Sequence, residues 1–218
     1  MAKHSDPVLH QELTLKTDFA QRLYRRGFER AARALFGLDV VLRYIATPEE
    51  IEAVEGVVDE LVERWFQDAA GERQRLQALA ESHGVMVEVA YTAPQTVQVA
   101  VSSPRVARLV ALVEEYDALV QDADRLWLAQ VLDNKHRGQV VYEWQRRTLR
   151  LCNRLVEIER RARRAAKERQ AAEEAAAAEE AAAGEAPPPE PTDAAAGDPA
   201  ASSPPPGPDA AEGATGAG

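Results

Sequence analysis

The sequence predicts a mainly helical α+β domain over residues 8–170. Three observations lead to this prediction. Apolar residues recur at helical spacing over most of the span, short segments near its start and middle alternate at the period of strands, and the composition changes after residue 170. Residues 171–218 are rich in Ala, Glu and Pro and offer few side chains to bury, so we expect disorder beyond about residue 184, with residues 171–183 able to prolong the preceding helix. Residues 1–7 are expected to be a flexible N-terminus.

The domain opens with one strand and one helix. The later part of residues 8–16 alternates like a half-buried strand. Asp18, followed by Gln21, is typical of a helix start, and that helix should run towards Leu35 with Gly27 and Gly37 weakening or ending it.

The clearest helix start lies further along. Thr47 is a suitable N-cap, Pro48 suits the first turn, and Glu50 completes a capping box. That helix should run to about residue 68, and a second should span residues 72–82 and stop at Gly84, which suits a left-handed cap.

The middle of the domain changes period. Residues 85–91 and 96–101 both alternate, so they predict a small β-hairpin, and Ser103-Pro104 then opens a helix ending near Leu132. Strand, helix and a further helix from about residue 122 is the order of a ribbon-helix-helix protein, in which two copies pair their strands in the DNA major groove. Thr96 and Gln98 would then face the bases, whereas the simpler alternative is an ordinary hairpin packed on helices.

The last predicted helix, from about Gln139, is basic. Apolar residues from Val141 to Ala165 follow a heptad pattern, which predicts a seam against another helix of the same chain or of a second copy. Its arginines either pair with the acids of residues 44–134 or contact phosphate. The candidate phosphate contacts are Arg146, Arg147, Arg150 and Arg154, together with Arg105 and Arg108 after the second strand.

The net charge of -10 is unevenly distributed. Residues 171–218 hold ten acids and no Lys or Arg, so residues 1–170 are balanced overall. Within them, residues 44–134 carry an excess of acids, and residues 16–43 and 135–170 an excess of bases. Basic segments of this kind favour a polyanionic partner.

The sequence gives no support to an enzyme, a metal site or a cofactor. Its four histidines are scattered, no phosphate-binding loop or nucleophile motif occurs, and the single cysteine, Cys152, suits a core position. No stretch is apolar enough to span a membrane and no signal-like segment opens the chain, so a cytoplasmic protein is expected.

Several short motifs resemble one family. They are Tyr91-Thr92-Ala93-Pro94, Ser103-Pro104, Leu126-Trp127-Leu128, and Tyr142-Glu143-Trp144-Gln145-Arg146-Arg147 with Leu149-Arg150-Leu151. Over about residues 8–165 the chain resembles the AcaB-like regulators of conjugative plasmids and integrating conjugative elements. The resemblance implies a DNA-binding activator of transfer genes that acts as a homodimer. It also implies a ribbon-helix-helix-like core enlarged by extra helices, with the ribbon at residues 96–101.

The prediction is therefore a homodimeric regulator of transcription that binds double-stranded DNA. The alternative is a non-enzymatic assembly protein of the conjugation machinery that uses the heptad helix. The DNA sequence, activation as opposed to repression, and any contact with RNA polymerase are left open.

Overall fold

A small antiparallel sheet and a set of long helices share one hydrophobic core. The computed structural model describes residues 7–184, and the compact unit ends at Ala178. Of the following unit, Glu179–Gly218, it describes residues 179–184, which are helical. The elements are β1 (Leu9–Leu15), α1 (Asp18–Leu23), α2 (Glu29–Phe36), α3 (Pro48–Ser82), β2 (Gln95–Val101), α4 (Pro104–Leu128) and α5 (Asn134–Gly184).

The two strands form a ribbon from distant parts of the chain. β1 and β2 pair antiparallel, with Leu9 opposite Val101 and Leu15 opposite Gln95. The predicted hairpin is therefore wrong, because residues 85–91 form no strand and β2 pairs with the strand predicted at the start of the domain. The alternation in β2 is confirmed, since Val99 is buried and Gln98 is exposed.

The N-terminal helix differs from its prediction in how it is capped and how it bends. Thr17, and not Asp18, is the N-cap, because its hydroxyl accepts the backbone N–H of Ala20 at 3.2 Å. The two glycines do not end the helix. Each lies in a π-helical turn, Tyr24–Phe28 and Gly37–Val41, so the chain stays helical through both positions.

The capping box at the start of α3 is confirmed. The backbone N–H of Thr47 donates to Glu50 at 2.9 Å, and Glu50 donates its own N–H to the Thr47 hydroxyl at 3.3 Å. The predicted break near residue 70 is wrong, because α3 continues to Ser82 with Ala69 and Leu76 buried on one side. Burial of that side outweighs the cost of about 1 kcal/mol that an internal glycine imposes. Gly84 has a φ of 63°, as predicted for the left-handed cap.

The second half contains the two helices that follow β2. The side chain of Ser103 caps α4, which ends at Leu128. The predicted start of a further helix near residue 122 is wrong, because α4 continues unbroken through that position. The last helix begins at Asn134, earlier than predicted, and extends to Gly184, as the Ala/Glu composition indicated it could. The predicted disorder beyond residue 184 lies outside the described residues.

The heptad seam of α5 faces the chain's own core. Val141, Thr148 and Leu155 are completely buried, and the Trp144 ring meets Trp65 of α3 edge to face, with 5.9 Å between centroids. The indole N–H of Trp65 also donates to the Thr148 hydroxyl at 3.2 Å. The seam partner is thus intramolecular over this stretch.

Within residues 7–184, no helix combines the length and apolar character needed to cross a membrane.

Candidate nucleic-acid interface

The outward face of the ribbon is polar and lies open to solvent. Thr96 and Gln98 are exposed, as predicted, and each is joined to the residue opposite it. The hydroxyls of Thr96 and Thr14 are 3.0 Å apart, and the Gln98 amide donates to the Glu12 carboxylate at 2.9 Å. These cross-strand bonds fix the positions of hydrogen-bonding groups on a surface that has the width of two strands.

A buried carboxylate on α4 anchors the end of β1. Asp117 is only 3% exposed and accepts three hydrogen bonds from the segment that joins β1 to α1. The donors are the backbone N–H of Lys16 at 2.9 Å, the N–H of Thr17 at 2.9 Å and the Thr17 hydroxyl at 2.7 Å. The ribbon is therefore fixed rigidly to the helical core. No local motif in the sequence distinguishes Asp117 from Glu114, an exposed acid of the same helix.

Arg105 lies within a cluster of carboxylates. It is 16% exposed and its guanidinium reaches Asp39, Asp59 and Glu55. Burial lowers its pKa, but the hydrogen bonds and charges of Asp59 and Asp39 outweigh burial and raise the pKa above its usual range. Its donors are thus committed to the fold, an arrangement that does not favour a phosphate contact. Arg108, which is more exposed, pairs with Glu63 at 2.8 Å.

The four arginines predicted as phosphate contacts on α5 form two groups, one with ion-pair partners and one without. Arg147 pairs with Glu143 at 2.7 Å and lies over the Trp144 ring, and Arg154 pairs with Glu157 at 3.3 Å. Arg146 and Arg150 are exposed, and neither has an ion-pair partner among the residues that the structure describes. Arg146 and Arg150 are therefore the two of the four best placed to meet a polyanion.

Most of the acids of residues 44–134 that form ion pairs do so within their own segment. Arg73, for example, reaches Glu115 at 3.1 Å and Asp122 at 2.9 Å, and its charge partly neutralises these two carboxylates. Between that segment and the arginines of α5, the ion pairs within the described range join Asp124 to Arg137, Asp68 to Arg147 and Glu50 to Arg169. The alternative in which the arginines of α5 pair with these acids therefore holds for part of the helix, but not for Arg146 and Arg150 among the described residues.

Sequence reasoning missed the contribution of α2 to this basic surface. Arg30 donates to Asn153 of α5 at 2.9 Å, and Asn153 lies one turn after Arg150 on the same face. The π-helical turn that precedes α2 approaches α5 closely because Gly27 faces α5, where an added Cβ would lie 3.1 Å from Leu149. Between α2 and α5 lies a cleft of about 300 Å³, whose lining includes Arg30 and Arg160. We call the exposed set Arg30, Arg146, Arg150 and Arg160 the basic face; the excess of bases in residues 16–43 was the available signal.

Together these features define an α+β protein that carries a polar two-stranded ribbon and a basic helical face. The solved structure of AcaB from uropathogenic E. coli is similar to it, with 36% sequence identity and a TM-score of 0.74. The match covers 76% of this chain and 86% of that chain. The chain therefore belongs to the AcaB-like regulator family. No protein-family model matches the sequence, and no curated protein matches it.

Proposed function

We propose that this protein is a DNA-binding regulator of transcription, an activator of conjugative-transfer genes, with a ribbon-helix-helix-like core. The observation that carries the proposal is the polar outward face of the ribbon at Thr96 and Gln98. A two-stranded ribbon fits the major groove, where glutamine pairs with adenine and threonine contacts several base edges. The order β2, α4, α5 supports the same core.

The basic face supplies the second requirement of a DNA-binding protein. Phosphate contacts give most of the affinity and fix the register of the protein on the duplex. Arg146 and Arg150 have donors available for this role, and Arg30 extends the same surface onto α2. Arg147, Arg154, Arg105 and Arg108 were predicted as phosphate contacts too, but their ion pairs make them weaker candidates.

Two copies would act together, as the family resemblance implies. The buried stretch of the heptad seam is not available to a second copy, because the core of the same chain covers it. This reduces the support for the alternative in which the heptad helix assembles with the conjugation machinery. We keep the homodimer as part of the proposal, to be measured by sedimentation with and without DNA.

The test is a binding titration on promoter DNA of the mobile element at two salt concentrations. Gln98→Ala should weaken specific binding by about tenfold and leave binding to random duplex unchanged, because base contacts carry the specificity. Arg146→Ala/Arg150→Ala should weaken both, and should reduce the slope of log affinity against log salt by roughly 2.

The matched control is Arg75→Ala on α3. Arg75 is an exposed arginine paired with Glu72 at 2.6 Å, and the cleft that it lines contains no residue of the ribbon or the basic face. It should change neither specificity nor the salt slope by more than the error of the measurement. Failure of the wild-type protein to bind any promoter, or binding that ignores salt, would refute the proposal.

A further inference from the structure

The elements of this chain occur twice, at a constant separation. Position 9 begins β1 and position 95 begins β2, an offset of 86 residues, and both strands have seven residues with the same alternation of buried and exposed positions. Adding that offset to the N-cap Thr17 gives Ser103, which caps the next helix of its own half. It also takes Thr47, the cap of α3, to Asp133, whose carboxylate accepts the N–H of the third residue of α5 at 2.7 Å.

The core repeats at the same offset. Buried positions in the first half correspond to buried positions in the second, although most of the pairs differ in residue type. Similar burial with different residues explains why no repeat is visible in the sequence. The corresponding buried pairs include Leu13 with Val99, Ala20 with Val106, Leu23 with Leu109, Ala34 with Val120, Val58 with Trp144, Val62 with Thr148, Trp65 with Leu151, Ala69 with Leu155 and Ala80 with Ala166.

The register of the ribbon has the symmetry that such a repeat requires. Glu12 pairs with Gln98, which is its own equivalent in the second half. The pair Leu9–Val101 becomes the pair Leu15–Gln95 when each residue is replaced by its equivalent, and that pair is present. An internal two-fold axis therefore passes between Glu12 and Gln98. Two identical subunits produce this isologous arrangement, and here one chain produces it alone.

We infer that one chain is a fused pair of strand–helix–helix units whose ribbon recognises a DNA element without two-fold symmetry. The inference rests on the proposed DNA-binding function. A ribbon built from two identical chains presents the same residues on both strands and fits a palindrome. Here all three equivalent outward positions differ. They are His10, Glu12 and Thr14 on β1, against Thr96, Gln98 and Ala100 on β2.

The chemistry of the two strands accordingly suits different bases. The carboxylate of Glu12 accepts a hydrogen bond from the amino group of cytosine, whereas the amide of Gln98 matches adenine. The bond between these two side chains, 2.9 Å long, would be exchanged for base contacts in the groove. The second helix of each half, α3 and α5, also differs in charge at an equivalent position: the first turn of α3 carries Glu49, and that of α5 carries Lys135. Phosphate is therefore favoured on the β2 side.

The experiment is selection of binding sites from a random duplex library with the full chain. The mass of the complex on the shortest selected duplex is then measured. We expect a non-palindromic core bound by one chain, with a homodimer spanning two such cores. Reversing the base pairs beneath one strand should weaken wild-type binding by about tenfold.

The decisive variant is His10→Thr/Glu12→Gln/Thr14→Ala, which gives β1 the outward residues of β2. It should select an inverted repeat and become insensitive to reversal, within about twofold. The control, Glu60→Gln/Gln67→Ala, changes exposed residues of α3 and should keep the wild-type preference. Circular dichroism confirms that each variant is folded. A palindromic wild-type core that needs two chains would overturn this inference while leaving DNA binding intact. If no duplex is bound at all, the proposed function fails too.

Discussion

Replacement of Asp117 should destabilise the whole domain, because this carboxylate joins the ribbon to α4. In Asp117→Ala, the two backbone N–H groups and the hydroxyl that donate to this carboxylate all lose their partner. A hydrogen bond to a charged group contributes about 1.5–3 kcal/mol, and donors left buried without a partner add a desolvation cost. These three bonds, and a fourth from the side-chain amide of Gln121 at 3.1 Å, share one carboxylate and are not additive, so we expect a loss of about 3–5 kcal/mol.

Asp117→Asn separates hydrogen bonding from charge. The amide oxygen can still accept from Thr17, but the amide nitrogen is a donor that faces the donor of Lys16. This variant should lose about 1–3 kcal/mol, less than the alanine variant. Urea unfolding followed by far-UV circular dichroism measures both, with the slope against denaturant checked for two-state behaviour.

Glu114→Ala is the matched control. Glu114 is an exposed acid on the same helix, three residues from Asp117, and its removal should change the free energy of unfolding by less than about 0.5 kcal/mol. If Asp117→Ala is no more destabilising than Glu114→Ala, the reasoning that this carboxylate fixes the ribbon is refuted.

Three further predictions concern the core and one turn. Trp65→Phe removes the hydrogen bond to Thr148 and part of a buried ring, so the free energy of unfolding in urea should fall by about 1–3 kcal/mol; an unchanged midpoint would show that the contact is dispensable. Gly84→Ala should cost about 1 kcal/mol because the φ of 63° is unfavourable for alanine, and Gly84→Asn should cost less. Burial raises the pKa of Cys152 to about 11, so the native protein should react with a thiol reagent at pH 8 far more slowly than the urea-unfolded protein; equal rates would contradict its burial.

The candidate interface was predictable in part. Thr96 and Gln98 were assigned to the outward face from alternation alone, and this holds because strand side chains alternate whatever the strand pairs with. The roles of the arginines could not be assigned in the same way. Arg105 and Arg146 look equivalent in the sequence, yet one lies among three carboxylates and the other is exposed.

The hairpin prediction failed for a related reason. Residues 85–91 alternate as clearly as β2 does, but the backbone N–H of Val85 closes the end of α3 by donating to Ala80 at 2.8 Å. Pairing of β2 with β1 instead buries Leu13 and Leu15 against the helices. Local pattern cannot choose between two candidate partners for one strand, since the choice depends on which pairing covers the core.

The sequence by itself determined the helix starts at Thr47 and Ser103, the left-handed turn at Gly84 and the sidedness of both strands. These features depend on hydrogen bonds and periodicities that span only a few residues. The tertiary structure alone decided which strand β2 pairs with, which arginines lie beside carboxylates and how the two halves are related by a two-fold axis. Those depend on contacts between residues about 50–100 positions apart, such as Lys16 with Asp117, and similar burial can be achieved there by different side chains.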